Sequence, residues 1–457
     1  MKIAWLSPFR KYGSGIGQFS AAACDGLVRG GHEVIVFASD LGPADEPCRS
    51  NLPIVRLPDS DHETVLRSLN DFDLVAYNMG DHPDYHRSIY DLFRKHRSIV
   101  ILHDLVMRDF FAGYFLRMDG VRLPELLEMM EYCHGPQAAE WMRDLMAGRV
   151  EAPWTDPRLL EYHMAKAAVS HAHGVVVHSE FTRARVAEFA GSPVAHIHFP
   201  APDLAGEALH WGSPPAAEGR PVRLLTLGHI NPNKLVDLVI ECIGASPTLR
   251  TRVAYTVVGA IWDLAYRDRL YELVERLGLG DVVRFAGPVS GESLREHIRE
   301  ADLIVNLRNP HFGESSWSLI EVLFAGKPTV VWNHGSYAEA PDWAVRKVAS
   351  REELSTSLEE LCREPGHRKY LGEQARRYAV ETFDAEAYGR ELVAFAKSIR
   401  HERIILDLAD RVGHRVGEMG VDPAMPTMLD RVSHEIALIA DHRPPRTFTA
   451  DGLCRQG

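Results

Sequence analysis

Residues 303–333 read LIVNLRNPHFGESSWSLIEVLFAGKPTVVWN. The apolar run 303–307 has the composition of a buried strand, a loop rich in Gly and Ser follows, and the spacing predicts a helix over 316–325 that Gly326 and Pro328 stop. A second apolar strand, 329–331, closes a strand–loop–helix–strand unit. Its loop puts a serine pair, Ser315 and Ser316, followed by Trp317, at a helix N-terminus, where unpaired N–H groups and the helix dipole favour an anion such as a diphosphate. Glu321 lies five residues past Ser316, a turn and a half into the helix, on the face that looks back over the loop. A carboxylate there can accept two hydrogen bonds from a diol, so a ligand with phosphate and hydroxyl groups suits the layout.

The same alternation recurs on both sides of this unit. Residues 2–40 form a β-α-β pattern whose first connection carries Gly13, Gly15 and Gly17. That spacing is GxGxG and not the GxGxxG of a dinucleotide fingerprint, although Asp40 stands at the distance of a ribose-binding acid. Gly13 alone reads as a flexible turn. Strands at 74–77 and 98–102 end in Asn78-Met79-Gly80-Asp81 and His103-Asp104. Ligands of open parallel sheets bind beyond the strand C-termini, so His103 and Asp104 are candidates to orient a hydroxyl and take its proton. The aromatic and Met cluster Met107, Phe110, Phe111, Tyr114 and Phe115 suits a core, with the wall of an acceptor cleft as the alternative, and His178 suits packing. Residues 203–221 shift towards Gly, Pro and Ala and read as a linker. A second α/β region follows, opening with a strand at 223–227 and the loop Gly228-His229-Ile230-Asn231-Pro232-Asn233-Lys234, which places Lys234 at a helix N-terminus as a point charge for a diphosphate.

Composition narrows the function classes. The 457 residues suggest two or three domains, and a net charge of -12 argues against a general nucleic-acid binder. Six cysteines without CxxC spacing suggest neither a disulfide framework nor a zinc site. Asp59-Ser60-Asp61 and Asp71-Phe72-Asp73 match a DxD metal pattern formally, but such pairs arise by chance among 63 acids. The N-terminal MKIAWLSPF reads as a strand and not a signal peptide, and no apolar run reaches membrane-spanning length. A cytoplasmic location is expected, with peripheral contact at the inner membrane left open; the basic stretch 87–97 reads as a solvated face.

In order along the chain, Gly15-Ile16-Gly17, the GHEVIV of 31–36, His103-Asp104, the INPNK of 230–234, and the GESS of 313–316 leading to Glu321 and VLFAGKPTVV resemble the retaining glycosyltransferases of family 4. The usual first acid of that family's donor signature falls at Gly313, with Glu314 one step later, and His229 stands where Arg is commonest. A bacterial subgroup with GINPNK-like and GExS loops is closer. The resemblance, over residues 1 to about 400, implies an α/β GT-B fold: two Rossmann-like domains facing across a cleft, with a C-terminal helical extension. It implies an acceptor-side domain at 1–204, a donor domain at 221–383, a helix crossing back at 384–400, and a helical extension and tail at 401–457 with a packing or self-association role.

The implied activity is a metal-independent, retaining, hexosyltransferase-type transfer from a UDP- or GDP-linked sugar to a saccharide, glycolipid or small-molecule acceptor, as in polysaccharide biosynthesis, with no other cofactor and no nucleic acid. Glu321 would bind the ribose. Lys234, Asn231, Asn233, His229, and the N–H groups of Ser315, Ser316 and Trp317 would hold the diphosphate, with Arg308 supplying the charge lost at His229. Gly313 and Glu314 would face the donor sugar, Gly15 and Gly17 would allow close approach, and His103 and Asp104 would hold the acceptor. No protein nucleophile is assigned, since the leaving phosphate can take the acceptor proton. The alternatives are a non-catalytic sugar-nucleotide binding module and a GT-B epimerase or phosphorylase.

Overall fold

The computed structural model describes residues 1–11, 15–49, 51–117, 120–150, 156–201, 219–400, 412 and 415. Gly13, most of the linker 203–221 and the extension 401–457 therefore lie outside the described residues, apart from positions 412 and 415. The chain divides into two compact units. The first comprises Met1–Glu140, His163–Pro200 and the chain from Ala385 onward; the second comprises Trp141–Tyr162 and Ala201–Asp384.

In the first unit, β1 (Lys2–Ser7), β2 (Glu33–Ala38), β3 (Ile54–Arg56), β4 (Leu74–Met79), β5 (Ile99–Leu102), β6 (Gly174–Val177) and β7 (Val194–His196) form a parallel sheet ordered β3-β2-β1-β4-β5-β6-β7. β4, β5 and β6 are buried along their whole length, as expected for strands covered by helices on both faces. The order reverses between β1 and β4. The Gly15–Arg29 helix covers the sheet and is crossed by the Ala385–Ser398 helix. Glycine lets the two backbones meet: a Cβ on Gly26 would lie 1.9 Å from the Ala385 carbonyl oxygen, and one on Gly389 would lie 3.1 Å from the Gly26 carbonyl carbon.

In the second unit, β8 (Val222–Leu227), β9 (Val253–Val258), β10 (Val283–Gly287), β11 (Leu303–Asn306), β12 (Thr329–Trp332) and β13 (Arg346–Val348) form a second parallel sheet ordered β10-β9-β8-β11-β12-β13. Its order reverses between β8 and β11. The core joins Leu224, Val257, Leu303, Val305 and Val330 to helix residues Val239, Ile243 and Leu358. Burying each such side chain contributes about 1.5–3 kcal/mol, so the apolar runs alone go far towards specifying the sheet. The 303–333 stretch folds as β11, the Trp317–Phe324 helix and β12. Both sheets thus place a reversal of strand order, the crevice where open α/β sheets bind ligands, beside the polar loops singled out in the sequence.

Candidate active site

In the second unit the polar groups gather where β8 and β11 end. Gly228 leaves β8 with φ 99°, a conformation open to glycine, and its bare backbone is a point of convergence. A Cβ on Gly228 would meet Lys234 Nζ at 3.2 Å and Ser318 Oγ at 3.9 Å, and one on Gly259 would meet the Gly228 carbonyl oxygen at 1.9 Å. The lysine and the first turn of the Trp317–Phe324 helix therefore approach the same glycine.

Lys234 does not open a helix, as its spacing predicts. Pro232 starts a 3-10 turn, Pro232–Lys234, and Leu235, at φ 52°, separates it from the Val236–Ala245 helix. This turn buries Lys234 to 3 % exposure and lets Nζ donate to the Leu227 carbonyl at 2.8 Å. Burial, and then the Arg308 charge, push its pKa well below the ordinary lysine range. No carboxylate pairs with it among the described residues. A buried ammonium with one carbonyl partner has N–H groups left for an anion. Asn233, also buried, anchors this loop: its carbonyl accepts from the Asn309 N–H at 2.8 Å and its Nδ2 donates to the Pro310 carbonyl at 3.4 Å. Asn231 precedes the turn without a side-chain capping bond, and His229 is exposed, its pKa lowered by the surrounding protein and then by Lys234 and Arg308.

Ser316 caps the Trp317–Phe324 helix, its Oγ accepting from the Leu319 N–H at 3.2 Å. The N–H groups of Ser315, Ser316 and Ser318 have no acceptor among the described residues, so they are donors for an anion beside Lys234. Glu321, one turn further on, is half-buried and its carboxylate makes no hydrogen bond among the described residues. Burial raises it to about 7, partly offset by Arg295. Arg308 pairs with Glu314, whose other oxygen accepts the Phe312 N–H at 2.9 Å and lies 3.5 Å from His311 Nδ1. Glu314, expected at the sugar hydroxyls, is thus engaged in holding the guanidinium. Gly313 has φ 86°, where an L side chain costs about 1–2 kcal/mol, so glycine at this position and the acid one step later belong together.

In the first unit the hub is Asn78, buried at the end of β4. Its Nδ2 donates to the Leu6 carbonyl of β1 at 3.0 Å, its Oδ1 accepts from His103 Nε2 at 3.0 Å, and its carbonyl accepts from His86 Nδ1 at 3.0 Å. One asparagine thereby spans the reversal and fixes two imidazoles. His103 is 6 % exposed, packs edge-on against Phe19 at 4.5 Å, and is held neutral by burial and then by His178 and His86. It suits orienting a hydroxyl better than carrying off its proton. Asp104 Oδ2 accepts the Asp81 N–H at 3.1 Å. Gly15 begins its helix, and Gly17 faces Cys48 Sγ and the Arg10 carbonyl oxygen, which a Cβ would meet at 3.2 and 3.3 Å, so glycine lets the helix approach the loop after β1 closely.

Several sequence alternatives find local structural roles. Asp40 accepts the Phe9 N–H at 2.6 Å, stapling the loop after β1, so it is engaged by protein where a dinucleotide reading needs it on a ribose. Asp61 caps the His62–Leu69 helix, and Asp73 accepts the Lys2 N–H at 2.7 Å. His178 packs against Phe19 and Phe199 with Nδ1 on the Ile197 carbonyl. Among the described residues no group of three His, Cys, Asp or Glu could hold a metal ion, and no helix is long and apolar enough to cross a membrane. The sequence reading missed His86, whose polar ring on the apolar face of the Pro83–Phe93 helix was the available signal, and His311, fully buried between Glu314 and Ser336.

The sequence profile of the family described as Glycosyl transferases group 1 matches residues 213–378. The D-inositol 3-phosphate glycosyltransferase of Kineococcus radiotolerans is 29 % identical over 240 residues, 49 % of this chain and 51 % of that protein. The mannosylfructose-phosphate synthase of Agrobacterium fabrum is 36 % identical over 129 residues, 27 % of each chain. The chain spans about half the length of the first of these curated relatives. Among solved structures, the sucrose-phosphate synthase of Thermosynechococcus elongatus superposes with a TM-score of 0.57 at 16 % identity, covering 87 % of this chain and 99 % of that one. The Anabaena protein HepE in complex with UDP-glucose gives 0.57 at 14 %, covering 87 % and 100 %. The fold is GT-B, and the match to the group 1 glycosyl transferase profile falls within the second unit.

Proposed function

We propose that this chain is a retaining glycosyltransferase that takes a hexosyl unit from a UDP- or GDP-linked sugar. The observation that carries the reading is the convergence at Gly228 of the buried Lys234 ammonium and the Trp317–Phe324 helix N-terminus, one turn before the unpartnered Glu321 carboxylate. Glu321 accepts from the ribose diol. Lys234 and the N–H groups of Ser315, Ser316 and Ser318 stabilise the diphosphate, which gains charge as the glycosidic bond breaks and is therefore held more tightly in the transition state than in the substrate. Arg308, oriented by Glu314, adds positive charge beside Lys234, where His229 is neutral.

On the acceptor side His103, locked by Asn78, accepts through Nδ1 from a neighbouring hydroxyl of the acceptor and so orients the attacking one, whose own proton stays free for transfer, with Asp104 next in sequence. A neutral imidazole with so low a pKa is a weak base, which favours the leaving phosphate as recipient of the hydroxyl proton. No metal enters this scheme, and the protein supplies no nucleophile. The complex of HepE with UDP-glucose makes a UDP-linked hexose the first donor to try.

A panel of nucleoside diphosphate sugars, incubated with wild type and Glu321→Ala and followed by release of free diphosphate with and without glycan lipids, tests this. Release from one donor, lost in the variant, is the expected result. Tight binding of one nucleotide without release under any acceptor would point to a binding module, whose support is the departure from the family pattern at Gly313 and His229.

A further inference from the structure

After β12 the chain makes a 3-10 turn, Gly335–Glu339, that packs against the loop between β11 and the Trp317–Phe324 helix. Gly335 stands at φ 62°, and a Cβ on it would lie 2.2 Å from His311 Cγ, so bare backbone is the surface on which that imidazole lies. His311 is fully buried there. Its Nδ1 accepts the Gly313 N–H at 3.1 Å, which makes Nε2 the protonated nitrogen and the donor to Ser336 Oγ at 2.9 Å. Ser336 in turn donates to the Glu314 carbonyl at 3.3 Å. One hydroxyl thus joins both ends of the segment 311–314, and the carboxylate of the residue it holds, Glu314, is the one that pairs with Arg308.

The next residue of the turn reaches the other anion-binding arm. Tyr337 is fully buried, its ring edge-on to His311 at 5.0 Å, and its hydroxyl donates to Asn306 Oδ1 at 3.1 Å, where β11 ends. With its oxygen so engaged, the buried Asn306 amide points Nδ2 at Ser318 Oγ, 3.4 Å away. Ser318 Oγ lies 3.0 Å from Ser316 Oγ, the helix cap, and is the hydroxyl that faces Gly228.

We propose that Ser336 and Tyr337 are positioning residues of the donor site. The turn that carries them sets the Arg308 guanidinium through Glu314, and the first turn of the Trp317–Phe324 helix through Asn306 and Ser318, so that both anion-binding groups come into register together. The inference rests on the transferase reading for its ligand, a nucleoside diphosphate, and adds the part that fixes the geometry. A guanidinium and a row of N–H donors stabilise developing charge most when they are already in place, because no side-chain ordering then opposes binding. Each residue acts through another, so its removal leaves every donor group present and only misplaces it.

Two measurements test this. Arg308 Nε is buried and makes no hydrogen bond among the described residues, so its N–H resonance in 15N-arginine-labelled protein, assigned by its loss in Arg308→Ala, reports the guanidinium's surroundings without ligand. Ser336→Ala deletes one half-buried hydroxyl and is expected to move that resonance; Ser336→Thr, which keeps the hydroxyl, is expected to restore it. The second measurement is calorimetric titration with UDP and GDP. Ser336→Ala is expected to weaken the preferred diphosphate about tenfold, with recovery in Ser336→Thr and no further loss when it is added to Arg308→Ala. Tyr337→Phe is expected to leave the Arg308 resonance in place and to weaken binding severalfold in either background, since it works through Ser318. An unmoved Arg308 resonance in Ser336→Ala, an equal loss of affinity with and without Arg308, or unchanged affinity in Tyr337→Phe would each overturn the proposal. Wild type that binds neither diphosphate, with the Arg308 resonance still moved by Ser336→Ala, would remove the donor reading and leave the positioning of Arg308 standing.

Discussion

Because burial raises Glu321 to about 7, near neutrality it is a mixture of acid and carboxylate, and only the carboxylate accepts twice from a diol. Donor affinity is therefore expected to fall as pH drops from 8 to 6, and isothermal titration with the preferred nucleotide sugar reads it; a flat profile would remove Glu321 from the ribose. The stability sign is opposite. A carboxyl whose folded pKa lies above its unfolded value of 4.5 destabilises the fold above about 7, and the penalty fades as pH falls towards 4.5. Glu321→Gln should thus melt higher than wild type at pH 8, by a few degrees for a gain of about 1 kcal/mol, while binding donor about tenfold more weakly. Arg308 and Glu314 make the complementary case. Arg308→Ala is expected to weaken donor binding by about tenfold, and Glu314→Gln to do so through misplacement of the guanidinium; a double variant no worse than Arg308→Ala alone would show that Glu314 acts through Arg308.

At the scale of elements, the caps and glycines carry the argument. Ser316→Ala removes the cap of the donor-side helix and should destabilise the protein by about 1 kcal/mol in urea unfolding, leaving the fold intact. Gly26→Ala drives a methyl group against the Ala385 carbonyl and should cost about 1–3 kcal/mol as the Gly15–Arg29 and Ala385–Ser398 helices separate. Such features also mark what could be read beforehand. The helix after Ser316 was legible because capping serine, apolar spacing and Gly326 all lie within a dozen residues. The three-residue strands β3, β7 and β13 were not, since three residues show no periodicity and their pairing is decided by neighbours far along the chain. Lys234 was legible as a lysine beside the loop expected to take a diphosphate, but its burial depends on Leu235 at φ 52°, a conformation no propensity favours for leucine. Asn78 and His86 were the hardest: their meaning comes from contacts between β4, β1 and β5, and local sequence encodes none of these.

For the whole molecule, the distribution of buried histidines makes acid stability asymmetric. In the first unit burial lowers His86, His134 and His196 to about 4 and His163 and His178 to about 3, with His103 moved the same way. A base whose folded pKa is depressed below its unfolded 6.5 binds fewer protons folded than unfolded, so its neutral burial is free of charge at pH 7 and increasingly unfavourable as pH falls below 6.5. At pH 5 each such group costs roughly 2 kcal/mol, and five together approach the 5–15 kcal/mol that holds a typical domain. Asp40, Asp81 and Glu391, their pKa values raised, work in the opposite direction but are fewer than these histidines. In the second unit His229 shows a lowered pKa, while Glu321 gains stability on protonation, so acid is expected to remove less there. The first unit is therefore expected to lose protection first, between pH 6 and 5, while the amides of β8, β9 and β11 remain protected, as hydrogen exchange resolved by peptide can show. Simultaneous loss in both units, or full protection of β1 and β4 at pH 4, would mean that these histidines take up protons without unfolding the sheet that buries them.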